Sequence, residues 1–150
     1  MSDSRITAGI RVGAVAAAAT IGAVIGLGLR HGLALRPFTS AGRALFERLG
    51  VVGTSSASAI VGLMMAACAI IVLGVCFTVV AAPLRGLRVL IVAIAFGAIA
   101  WGFAGFVVPS VLALSTGAVL GNAQRVFIFG LLSLALVVGM RLARPGTRVD

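Results

Sequence analysis

The chain reads as an all-α polytopic membrane protein, a four-transmembrane-helix bundle with a short interfacial amphipathic helix in the first loop. Composition is the first reason: of 150 residues, 61% are hydrophobic and 10% charged, with a mean hydropathy of +1.25, outside the range of water-soluble domains. Four long apolar stretches between Val12 and Met140 are the second, for none holds an Asp, Glu, Lys, Arg or His in its interior. The third is that arginines gather at the ends of these stretches.

A helix needs about 20 apolar residues to cross roughly 30 Å of hydrocarbon, because lipid offers no partner to backbone N–H and C=O groups. The first span is expected over about 10–30. Its apolar run, Val12 to Leu29, is interrupted only by Thr20, whose hydroxyl can bond back to a carbonyl one turn earlier.

The loop that follows holds a second element. Ser40 is placed as the cap of a helix over about 40–49 that stops at Gly50, with Leu45, Phe46 and Leu49 on one face and Arg43 and Glu47 paired on the other. Such a helix is expected to lie flat on the bilayer.

The second span, about 57–82, ends at Pro83, which lacks the N–H to continue the ladder. Pro83-Leu84-Arg85-Gly86 then makes a tight turn into a third span over about 88–108, stopped by Pro109. The fourth span is shorter in its apolar run, Val126 to Met140, and is extended to about 124–142 by Arg125 and Arg141, whose long side chains reach the headgroups. Ser110 to Leu120, apolar but holding Ser115, Thr116 and Gly117, reads as an interfacial helix or partly inserted turn. Residues 1–150 thus form a single transmembrane domain. The first apolar run is longer than a signal-peptide core and closes on Arg30 and His31, so it is expected to be retained as a span.

All twelve basic residues are Arg. Four spans put both termini on one side, where seven Arg gather against five on the other, so the positive-inside rule favours cytoplasmic termini. The absence of Lys and Tyr beside abundant Ala, Arg, Gly and Val matches a GC-rich genome, and a bacterial cytoplasmic membrane is the expected location. The net charge of +9 is distributed at span ends rather than over one basic face, which points to anionic lipid headgroups and away from nucleic acid.

Chemistry-bearing residues are few. Cys68 and Cys76 stand about 12 Å apart along one helix at 1.5 Å per residue, too far for a disulfide, and are expected as small buried hydrophobes. The three acids are Asp3, Glu47 and Asp150. No nucleophile, acid–base pair or metal-ligand set has usable spacing, so neither enzymatic activity nor a metal or cofactor is expected. No intramembrane carboxylate marks a proton-coupled transporter.

Two groups remain. Ala14, Ala18, Gly22 and Gly26 recur every fourth residue in the first span and offer a helix-packing or partner face, Gly22 with Gly26 forming a GxxxG pair. Ser58, Gly62 and Ala66 in the second span, and Ala93, Gly97, Ala98 and Gly102 in the third, allow similar contacts. Arg30, His31, Asn122, Gln124 and Arg125 form a polar rim fitted to a headgroup or an acidic partner, if the first and fourth spans are neighbours. Trp101 is expected at mid-depth, packed in the core with its indole N–H bonded. These features fit an accessory or structural subunit that packs against a larger membrane complex, with membrane lipids and other membrane subunits, or further copies of itself, as partners. The alternative expectation is a small oligomeric passive channel or carrier for a neutral solute or lipid.

Overall fold

The computed structural model describes residues 3–30, 32, 35–107 and 122–143. The expected Ser110 to Leu120 element and His31 lie outside the described residues. Every regular element among the described residues is helical: α1 (Asp3–Arg30), α2 (Arg36–Arg48), α3 (Ser55–Ala81), α4 (Leu87–Gly102) and α5 (Asn122–Ala143). Among the described residues four helices are long and apolar enough to cross a membrane, over Arg5–Arg30, Ser55–Ala81, Leu87–Gly105 and Ala123–Ala143.

Local chemistry sets the boundaries. Thr54 caps α3, its Oγ1 accepting from the Ala57 N–H at 3.2 Å. The expected tight turn follows α3, with Leu84 N–H donating to the Ala81 carbonyl at 3.0 Å and Gly86 at φ +60° turning the chain into α4. Beyond Gly102, α4 widens into a π-helical turn, Phe103–Val107. α1 is helical from Asp3 on, so the helix extends on the polar side of the expected span. One boundary differs from expectation. α2 begins at Arg36 and takes Pro37 in its first turn, where a missing N–H costs no helical bond. Ser40 is therefore inside the helix and not its cap, and its hydroxyl donates to the Pro37 carbonyl at 2.9 Å.

Across the bundle the helices follow one another as α2, α3, α1, α5 and α4, with successive neighbours antiparallel where their contacts show register. α4 also reaches α3 through Phe77 and Phe96, whose rings meet edge to face at 5.6 Å. The core joins four helices at the end where Asp3 and Ala143 lie: Val12 and Ala16 of α1, Phe77 and Ala81 of α3, Val89 and Ala93 of α4, and Leu132, Leu136 and Met140 of α5. Toward the opposite end burial thins, with no buried residue described in α1 beyond Thr20 or in α4 beyond Gly97.

Glycine decides where the backbones meet. A Cβ added to Gly9 would stand 2.8 Å from Val75 Cα, and one added to Gly13 would stand 2.6 Å from Ile71 Cα, so α1 and α3 touch main chain to main chain. Such approach suits lipid, where apolar side chains gain nothing by leaving solvent for a neighbour and dispersion at short range takes over. Gly139 against Val12 does the same for α5 and α1, while between α4 and α5 Gly97 makes room for the Ser133 side chain.

α2 departs from the flat amphipathic helix the sequence suggests. Gly42 lies against Ser58 and Gly62 against Phe38, so α2 runs antiparallel along the first turns of α3. Its buried face is Phe38, Gly42 and Ala44, while Leu49 is exposed. At 100° per residue, Ser58 and Gly62 point nearly opposite to Ile71 and Gly74. α3 is therefore gripped between α2 on one side and α1 on the other.

Candidate functional site: the outer face of α1 and the polar rims

α1 carries two lines of small residues on opposite faces. The inner line, Gly9, Gly13, Ala16 and Ala17, is buried against α3 and α5. The outer line is the one singled out from sequence: Ala14, Ala18, Gly22 and Gly26 are all exposed, and a Cβ on Gly22 or Gly26 would meet nothing within 4 Å. Among the described residues the packing of the bundle buries none of the four. Arg11, also exposed, lies two helical turns before Ala18 and on the same line.

The inner line escaped notice in the sequence although Gly9 and Gly13 are themselves a GxxxG pair. Arg11 sits between them and Val12 opens the apolar run, so the pair straddles the boundary of the segment that hydropathy marks as membrane-spanning. Gly74, whose partner is Gly13, stands isolated in sequence and becomes legible only through the contact.

The polar rim depends on α1 and α5 being neighbours, and they are. Their antiparallel register through Val12 and Gly139 carries Arg125 level with Gly26, Gln124 with Leu27 and Asn122 with Leu29. Arg30, Asn122, Gln124 and Arg125 thus share one end of the bundle. Arg30 is exposed there, and Gln124 and Arg125 are half-buried. At the other end the same register, together with Gly97 against Ser133, brings Arg11, Arg88 and Arg141 into one tier on α1, α4 and α5, all exposed. From Arg11 to Arg30 is about 28 Å at 1.5 Å per residue, close to the hydrocarbon thickness these cations must flank.

Buried hydroxyls mostly turn back on their own helices: Ser58 to the Thr54 carbonyl at 2.9 Å, Thr78 to Gly74 at 2.8 Å and Ser133 to Phe129 at 3.0 Å. Thr20 departs from its expected back-bond, for its Oγ1 is buried without a hydrogen-bond partner. Cys68 and Cys76 are exposed, not buried, because that side of α3 faces neither α1 nor α4 and both lie past the first turns that α2 covers. Trp101 likewise faces outward at 43% exposure, not into the core. The Gly97–Ser133 and Gly139–Val12 registers carry it level with Gly22, between the Arg11 and Arg30 tiers, so it keeps the expected mid-depth while facing outward. Among the described residues no group of three His, Cys, Asp or Glu is placed to hold a metal ion.

The fold defines a multi-pass α-helical membrane protein. Compared with protein-family models, with curated proteins and with solved structures, the chain finds no match in any of the three.

Proposed function

We propose that this chain is a non-catalytic accessory or structural subunit that seats against the helices of a larger membrane complex through Ala14, Ala18, Gly22 and Gly26. One observation carries the reading. A line of small residues is what lets membrane helices approach closely, and among the described residues nothing covers the glycines of this line. The inner line of the same helix shows the type of contact such a face makes when it is filled. Arg11 at one end of the outer line adds a cation that a partner or an anionic headgroup would neutralise. The excess of Arg at the termini end supports cytoplasmic termini, and the Lys-free, Tyr-free composition supports a bacterial cytoplasmic membrane.

The test is extraction of native membranes in mild detergent, then size-exclusion chromatography and mass spectrometry of what elutes with the chain. A partner of fixed stoichiometry is expected, and Gly22→Leu with Gly26→Leu should release it without unfolding the chain. Elution as a lone homo-oligomer, or retention of the partner by the double variant, overturns the reading.

A further inference from the structure

The connection between α2 and α3 holds an apolar tip in place from both sides. Gly50, at φ +67°, closes α2: its N–H donates to the Glu47 carbonyl at 3.2 Å and the Val51 N–H donates to Phe46 at 3.0 Å, the paired bonds of a Schellman motif. Gly53 lies against the Phe46 ring, where a Cβ would not fit, and Thr54 caps α3. Between these restraints three aliphatic side chains are exposed, Leu49 at 64%, Val51 at 53% and Val52 at 101%. An ordered turn that presents three aliphatic side chains is a surface with an intended medium.

Level and charge identify that medium. The tip adjoins Ser55, where α3 begins, so it stands at the boundary between hydrocarbon and headgroups. Arg43 and Arg48 on α2 are both exposed, and Glu47 is the one acid beside them. Aliphatic side chains beside guanidinium groups match a lipid whose chains take the first and whose phosphate takes the second.

We propose that Leu49, Val51 and Val52 form a wedge inserted among the lipids at the α2 end of the bundle, with Arg43 and Arg48 recruiting anionic phosphate headgroups around it. This goes beyond the docking role of α1 and does not depend on it. The wedge would fix the C-terminal end of α2 at the headgroup level, while the Gly42 and Gly62 contacts hold the helix along α3.

The experiment places a reporter at the tip, Val52→Trp in a Trp101→Phe background, in nanodiscs of phosphatidylcholine with a minor fraction of phosphatidylglycerol. Bromine is carried on the acyl chains of one lipid or the other. Blue-shifted emission quenched by brominated lipid is expected; red-shifted, unquenched emission overturns insertion, leaving the tip in water. Quenching by brominated phosphatidylglycerol should exceed its share of the lipid, and Arg43→Gln with Arg48→Gln should remove most of that excess at low salt. Quenching in proportion to lipid share, or an excess unmoved by the double variant, overturns the headgroup assignment.

Discussion

Gly13 and Gly74 lie main chain to main chain where α1 crosses α3, and a Cβ on Gly74 would fall on the Gly13 backbone. Neither helix can give way by rotating a side chain. Gly13→Ala is therefore expected to destabilise the fold by about 1–3 kcal/mol through overpacking, whereas Gly22→Ala on the outer line should stay within about 0.5 kcal/mol. Unfolding of the purified protein in mixed micelles measures both, and equal effects at the two sites would contradict the division of α1 into an inner and an outer face.

α2 is held by the same device. Alanine at Gly42 or Gly62 would put a methyl onto the carbonyl side of Ser58 or Phe38 respectively. Each variant should loosen α2 while leaving α1, α4 and α5 packed. Amide hydrogen exchange would read this as faster exchange over 36–48 with unchanged protection over 128–140.

Gly97 and Ser133 are coupled more softly. The atom a Cβ on Gly97 would strike is the Ser133 Oγ, the end of a side chain, with the Phe129 carbonyl next at 3.1 Å. Gly97→Ala should cost stability alone and much less in combination with Ser133→Ala. A double-mutant cycle is expected to give a coupling energy of about 0.5–3 kcal/mol; additive effects would mean the two helices part at this level.

Phe77 and the cysteines of the same helix should behave oppositely. Phe77 is fully buried and stacks edge to face on Phe96, so Phe77→Ala should cost about 3 kcal/mol or more, chiefly as a cavity with lost dispersion contacts. Cys68→Ala and Cys76→Ala remove exposed groups and should each shift stability by less than about 0.5 kcal/mol. The comparison needs only the three single variants in one unfolding assay.

How much of this was written in the sequence differs by element. The spans were legible because a bilayer imposes one dominant requirement, an apolar helix of sufficient length with charge at its ends, and 57–82 is nearly Ser55–Ala81 for that reason. The turn at Pro83 to Gly86 and the stop at Gly50 were legible because proline and glycine act on their own backbone. The α2 start was misplaced because Ser40 makes as good a cap in principle as it does an interior residue bonded to Pro37.

Faces were not legible to the same degree. Ala14, Ala18, Gly22 and Gly26 announce a packing line, but the same spacing serves the buried Gly9 and Gly13, and residue type does not say which line is covered. Cys68 and Trp101 were expected inside because in water apolar surface is driven inward; in lipid that force is absent, so either side of a span can be apolar. The sequence by itself determined that this protein crosses a membrane on four helices and where its charges end them, since the partition between water and hydrocarbon acts on each segment alone. Which side of each helix is buried was decided only in the tertiary structure, because close packing is a property of two backbones meeting, and Gly13 has no meaning as a contact until Gly74 lies against it.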